Sequence, residues 1–409
     1  MSEHIRTNRN VRSAAIVYGA AFMLGITMVS FPASSTVLKT AGGLTDSQYG
    51  LIFLPQFLSA VLGSLAGGIL ARRTGLGNLL VIALIANALS QACLGSIILL
   101  KPGTAFFAAM AATTLFGLAF GLSAAPLNTF PGLLFPRKSD SALVALHTLL
   151  GLGLSAGPLV AGQLIAQGRW PYFPLLLFTG SLLLVAGVAR ARLPSDATAA
   201  AQPDPSRALR ELRSNPVFWT LVAIVILYAF AEGTFSNWAV IYLHEERGIG
   251  IAEAGTALSV FWAMVAAGRL LVSVLLLRID AERIWLALPI LMAGGFFLVP
   301  LAHTAAEGIV VFGFAGLACS AFFPLSVGIA VKRLSGNAAF ISSLMIAAVM
   351  SGVGIGSYII GLLHSLISLE RLYRLSSLYP AAVAVLTAIT VGMNLRTLNR
   401  KDRAVKEDR

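Results

Sequence analysis

The sequence predicts an all-α membrane protein, with twelve transmembrane helices arranged as two pseudo-symmetric six-helix bundles. Composition is the first reason: 57% of residues are hydrophobic and 11% charged, with a mean hydropathy of +0.85. A soluble domain carries about 25% charged residues. The second reason is length. Apolar runs long enough to span a bilayer, about 20 residues, recur at about 13–38, 46–71, 78–100, 104–134, 139–166, 171–191, 216–243, 252–278, 284–302, 307–331, 338–366 and 373–396. The third is a polar break that divides these runs six and six. The expected organisation is a bundle over 1–192, a cytoplasmic linker over 193–215, a bundle over 216–396 and a cytoplasmic tail over 397–409.

The net charge of +12 is a topology signal. With the amino terminus inside and the loops alternating, Arg6, Arg9, Arg12, Arg72, Arg73, Arg137, Lys138, Arg278, Lys332, Arg333 and the basic tail fall on the cytoplasmic side. Lys39, Lys101, Arg169, Arg247, Arg371 and Arg374 fall outside. This positive-inside bias places both termini in the cytoplasm of a bacterial inner membrane, and it removes nucleic acid as an explanation. Cys93 and Cys319 lie inside spans and read as small buried hydrophobes.

The first run, about 26 residues long, exceeds a cleaved signal h-region and reads as an uncleaved first helix. It carries Tyr18 and a polar outer segment, Ser30–Ser35, broken by Pro32. Thr45 or Asp46 is the expected N-cap of span 2, whose outer half holds Gln56. Span 4 holds Pro126 and Asn128, a cavity donor. Span 5 holds His147 near its inner end and Gly153, Gly157, Pro158 and Gly162. The linker starts Pro- and Ala-rich and ends in a basic amphipathic stretch, Ser206–Arg213, suited to lipid headgroups. The halves repeat: a shift of 205 residues carries Gly50 onto Gly255 and Gly63 onto Gly268. A shift of 199 carries Gly117 onto Gly316 and Gly157 onto Gly356.

Span 7 carries Glu232 about 11 residues, or roughly 16 Å, from its outer end. No other acid sits so deep in an apolar run, and an ionisable group there is a functional candidate. Tyr228, Glu232, Ser236 and Ala239 share one helical face, with Asn237 and Trp238 turned from it. Span 8 carries Arg269, roughly 9 Å of helix rise deeper. If the two pair, Glu232 stays ionised; isolated in an apolar cavity, it holds a proton. Arg269 has a rival role, bidentate capture of a carboxylate. In span 10, Ser320, Pro324 and Ser326 are expected to line the cavity, and His303 and His364 to lie at the surface. No metal site is expected, and the tail reads as disordered.

Gly68, Arg72, Arg73 and Gly75 stand where the major facilitator superfamily has its loop motif between helices 2 and 3. Arg72 replaces that motif's Asp, so the charge latch it forms in the family must differ here, with Asp140 across the loop as its expected participant. Gly153, Gly157 and Pro158 resemble the superfamily's fifth-helix signature, prominent in drug–proton antiporters. EGTFSNWAVIYL followed by GTALSVFWAMVAAGRLL resembles the fucose permease-like branch of fucose–galactose–gluconate proton symporters. The Gly–Arg step in span 8 is also similar to monocarboxylate carriers, in which that Arg contacts substrate. The resemblance implies a major facilitator fold and alternating access. Fucose permease protonates acids on spans 1 and 4, where this chain has none.

Together these point to a secondary transporter of a small polar solute, sugar-like, coupled to protons or to sodium, working as a monomer among membrane lipids. The alternatives are a drug or metabolite/proton exporter and an organic-anion carrier using Arg269. Enzyme classes are disfavoured because no P-loop, metal-ligand cluster or nucleophile–base motif is present, and no cofactor is implied. The expected coupling residues are Glu232 and Arg269. The expected substrate-facing set is Tyr18, Gln56, Asn128, Tyr228, Glu232, Ser236, Asn237, Trp238 and Arg269. The expected conformational set is Gly68, Arg72, Arg73, Gly75, Gly153, Gly157 and Pro158.

Overall fold

A computed structural model of the chain describes residues 2–191, 193, 212–334 and 338–407, and its regular structure is helical throughout. Most of the expected linker, including nearly all of Ser206–Arg213, lies outside the described residues. Twelve helices are long and apolar enough to cross a membrane. They are α1 (Val11–Met28), α2 (Asp46–Thr74), α3 (Leu76–Leu99), α4 (Pro102–Leu134), α5 (Ser141–Ala166) and α6 (Tyr172–Ala191). After the linker come α7 (Pro216–Glu246), α8 (Ile251–Leu275), α9 (Ala281–Leu301), α10 (Ala305–Arg333), α11 (Phe340–His364) and α12 (Leu369–Gly392). An even number of crossings puts both chain ends on one side, here called the terminal face; the other is the far face.

Local chemistry sets the ends. Thr45 caps α2 through a reciprocal capping box with Gln48, and Thr304 does the same with Glu307 for α10. Gly75, at φ +81°, makes the left-handed turn from α2 into α3. After α1, two short helices, Ser30–Ala33 and Ser35–Thr40, replace the single long run read from the sequence. The charged tail departs from expectation as well. The last helix runs on to Glu407, through a stretch rich in the helix formers Leu, Arg and Lys.

Helices pack through glycines that let backbones meet, the usual solution in lipid. A Cβ on Gly117 of α4 would sit 2.0 Å from the Gln56 carbonyl oxygen of α2. One on Gly316 of α10 would sit 2.1 Å from the Phe261 carbonyl oxygen of α8. The offsets of 199 and 205 residues carry Gly117 onto Gly316 and Gln56 onto Phe261, so the repeat seen in sequence is one crossing built twice.

The first and last six spans meet along the far half of the molecule, again through a duplicated joint. Gly50 of α2 abuts Gly361 of α11, and Gly162 of α5 abuts Gly255 of α8; the same two offsets relate these pairs. Beside the second joint, Ser155 Oγ donates to the Ser259 carbonyl at 3.1 Å, and Ser259 Oγ donates back to the Ser155 carbonyl. Toward the terminal face Asn128, His147 and Arg269 are exposed, and these polar side chains from α4, α5 and α8 outline a cleft on that side.

A side chain at Gly361 cannot be accommodated, since its Cβ alone would lie 2.5 Å from the Asp46 carbonyl oxygen. Overpacking of this kind costs about 1–3 kcal/mol, so Gly361→Leu is expected to pry the joint open. The measurement is the labelling rate of a single cysteine replacing Ser47, whose Oγ reaches the Gly361 carbonyl. In a background lacking Cys93 and Cys319, that rate is expected to rise about fivefold or more.

Candidate functional site

The centre of the site is a break in α10. Regular helix covers Ala305–Cys319 and Phe322–Arg333, with Ser320 and Ala321 between. Pro324 has no N–H, so the Ser320 carbonyl four residues earlier has no helical donor. Arg269 Nε of α8 fills that vacancy, donating to the Ser320 carbonyl at 3.1 Å. The neighbouring Cys319 carbonyl accepts from Tyr228 Oη of α7 at 3.0 Å. The same hydroxyl reaches Glu232 Oε1, one turn along α7, at 2.9 Å. Tyr228 is 1% exposed and stacks on Phe322, with ring centroids 5.1 Å apart.

Glu232 and Arg269 therefore do not form the direct pair weighed from sequence. Arg269 directly, and Glu232 through Tyr228, reach consecutive carbonyls of one broken helix. Glu232 remains partly accessible to solvent, and Arg269 is exposed in the cleft with both Nη atoms free of protein partners among the described residues. His147 of α5 lies within electrostatic reach of Arg269. Its Nε2 is 3.2 Å from Asn128 Oδ1, so α4 and α5 place a polar pair in the same cleft.

The other expected residues divide by location. Tyr18 Oη donates to the Ala142 carbonyl at 2.7 Å, tying α1 to α5. Gln56 is partly exposed, and its Oε1 has no partner. Ser236, Asn237 and Trp238 lie one to two turns beyond Glu232, where the halves close, and face no cleft in this conformation. Asn237 Nδ2 donates to Ser357 Oγ of α11 at 2.7 Å, and its carbonyl accepts Tyr49 Oη of α2 at 2.7 Å. Ser236 Oγ sits 3.4 Å from Asn237 Oδ1. Trp238 is fully buried, edge-on to Tyr49 and to His364. Ser326 is also buried, accepting from Trp285 Nε1 at 2.8 Å, so it braces α9 against α10 instead of lining the cavity.

In the loop motif, Arg72 and Arg73 are exposed, and a Cβ at Gly68 would meet nothing within 4 Å. The Asp140 side chain lies outside the described residues. Gly153 and Gly157 press on α1, with Cβ positions 2.2 Å from the Phe22 carbonyl oxygen and 2.5 Å from Val29 Cγ2. The Pro158 carbonyl receives Gly255 of α8. The span 5 signature is thus occupied by helix packing.

Two features escaped the sequence reading. Trp262 is 7% exposed with an unpartnered Nε1. It lies two turns before Arg269 on the same face of α8, a spacing that was visible in the sequence. The second is an ion cluster sealing the far face. Lys39 bridges Asp46 at 2.6 Å and Glu245 at 2.5 Å, and His364 Nε2 lies 3.8 Å from Asp46 Oδ2. His364, expected at the surface, is held in this seal. No spacing rule pairs residue 39 with 245.

A profile of the Major Facilitator Superfamily matches residues 15–315. The chain belongs to that superfamily. An uncharacterized MFS-type transporter of Yersinia pestis is 23% identical over 390 residues, covering 93% of this chain and 94% of that protein. Among solved structures, the nucleoside transporter NupG aligns with a TM-score of 0.75 at 13% identity, over 93% of this chain and 99% of the other. The Escherichia coli xylose transporter XylE, in an inward-open conformation, gives 0.69 at 13% identity, over 92% and 95%. The E. coli fucose:proton symporter FucP gives 0.61 at 15% identity, over 93% and 98%. The chain is a multi-pass membrane transporter of this superfamily, with the twelve-helix major facilitator fold.

Burial pulls the Lys39 ammonium down, but hydrogen bonds to Asp46 and Glu245 outweigh it and leave its pKa above the usual 10.5. A raised lysine stabilises fully below its unfolded value, and that stabilisation fades as pH rises through the folded value. Wild-type melting is therefore expected to fall above the ordinary lysine range. Lys39→Met should melt lower at neutral pH and lack the part of the fall that belongs to this seal.

Proposed function

We propose that this protein is a secondary transporter that carries a small polar solute by alternating access, driven by protons through Glu232, in a bacterial inner membrane with the terminal face in the cytoplasm. The basic-residue count supports that orientation, and on it the open cleft is the inward-facing state. The observation that carries the coupling is the setting of Glu232. It is the one acid in the middle of a span, partly accessible and hydrogen-bonded to a tyrosine that also holds the α10 break. A polyhydroxylated solute is favoured by the neighbours named as fucose, xylose and nucleoside transporters. The cleft's Asn128–His147 pair suits hydroxyl groups. The exporter remains the alternative within the class, and the span 5 glycines act there through helix packing.

A second reading, an organic-anion substrate, is favoured by one feature: the Arg269 Nη fork is exposed with no acid paired to it among the described residues. A lysine keeps the charge but not the fork. Loss of a charge-assisted hydrogen bond is worth about 1.5–3 kcal/mol. Arg269→Lys is therefore expected to weaken carboxylate binding about tenfold or more while leaving a neutral solute's affinity unchanged.

The coupling is tested in proteoliposomes. The solute is whichever sugar, nucleoside or carboxylate stabilises the purified protein against heat. Glu232→Gln mimics the protonated state, so uphill accumulation driven by a pH gradient is expected to vanish while solute exchange persists. A variant that still concentrates the solute against its gradient excludes Glu232 as the coupling group. One that loses exchange and melting temperature together assigns it a structural role.

A further inference from the structure

We propose that the break in α10 is the element through which the protonation state of Glu232 is passed to the moving part of the transporter. In this scheme Tyr228 is the positioning residue and Pro324 keeps the break open. The inference rests on proton coupling at Glu232 and goes beyond it by naming where the proton's effect lands.

The argument is a count of hydrogens. Tyr228 Oη carries one proton and stands within hydrogen-bond distance of two acceptors, Glu232 Oε1 and the Cys319 carbonyl. It is 1% exposed, so water cannot readily supply the missing donor. When Glu232 is ionised, the phenol proton is drawn to the carboxylate, the stronger acceptor, and the Cys319 carbonyl loses its donor. When Glu232 is protonated, its carboxyl O–H donates to Tyr228 Oη, and the phenol proton turns to the Cys319 carbonyl. Every group is then satisfied. A proton arriving from the cleft thus adds one tie between α7 and α10. When it returns to the cleft, the tie is lost.

The position of that tie gives it leverage. Cys319 and Ser320 end the far half of α10, and Phe322–Arg333 begins the half beside the cleft. In that second half Pro324 and Gly328 are exposed, and a Cβ at Gly328 would meet nothing. Its other face is tied to α9 and α12 by Trp285–Ser326, Arg333–Glu282 and Arg333–Thr390, so it shifts together with those helices when the break loosens. Arg269 holds the very next carbonyl, so a ligand drawing on its fork acts on the same two residues. The charged or titratable groups that bear on Glu232 and Tyr228 are Arg269 from α8 and the Cys319 thiol from α10. From α11, Val353 and Ser357 face Gly233, and α12 presents Tyr379 to Phe230.

Hydrogen–deuterium exchange of the full-length protein in lipid nanodiscs tests this without a known substrate. The segment read is 316–333, and each variant is compared with wild type at the same pH, which cancels the intrinsic rate. One hydrogen bond corresponds to about a three- to tenfold change in opening. Glu232→Gln is expected to slow exchange at the break by that factor at about pH 9 and to match wild type at about pH 5. Tyr228→Phe is expected to do the reverse, exchanging faster at the acid end and matching at the alkaline end. Pro324→Ala returns an N–H to the Ser320 carbonyl, so it should exchange slowly throughout and is independent of the tyrosine. Wild-type exchange without a pH step, or Glu232→Gln indistinguishable from wild type, overturns the proposal. If Glu232→Gln also uncouples transport, the proton site stands and only its route through α10 falls. If Glu232→Gln still concentrates solute, the coupling reading itself falls.

Discussion

A charge placed in an apolar bundle must find a partner or be neutralised, and the rest of the site is organised around how α10 meets that demand. Pro324 removes one backbone donor, and the break it accompanies turns two carbonyls away from the helix. Those carbonyls serve a guanidinium from α8 and a phenol from α7. Irregular backbone is tolerated at membrane depth only where it lines a cavity or is covered by protein, and here Cys319, Ser320 and Ala321 are covered. Acid and base are thereby held near one another without the mutual neutralisation that a direct ion pair would bring.

The remainder of the architecture keeps that centre accessible from one side. Glycine joints and reciprocal serine bonds close the far half, while toward the terminal face α4, α5 and α8 carry the exposed Asn128, His147 and Arg269. The two joints are related by the offsets that relate the two halves of the chain. A single small-residue contact, duplicated with its bundle, suffices to close the molecule on both sides of its pseudo-axis.

Much of this was legible in the sequence, for physical reasons. Spans are visible because bilayer thickness fixes their length. The repeat survives because glycine crossings tolerate no larger residue. Glu232 stands out because carboxylates are costly at that depth. The linkage between Glu232 and Arg269 was not legible. It runs through backbone carbonyls, which every residue has, and their availability depends on where a helix breaks. Ser236, Asn237 and Trp238 share a segment with Glu232, and sequence alone does not say which turns of that helix are sealed in a given state. The seal around Lys39 joins groups some two hundred positions apart, beyond any helical spacing. Continuation of the last helix to Glu407 shows a charged stretch keeping its intrinsic propensity beyond the apolar span.

The ion cluster on the far face has a consequence of its own. Lys39, Asp46 and Glu245 retain 14%, 25% and 31% of their side-chain exposure, so dissolved ions on that side reach them in part. Mobile salt weakens attractions between accessible charges, whereas the buried glycine joints beneath are indifferent to it. The contribution of this cluster to closing the far face therefore weakens as the ionic strength of the bathing solution rises.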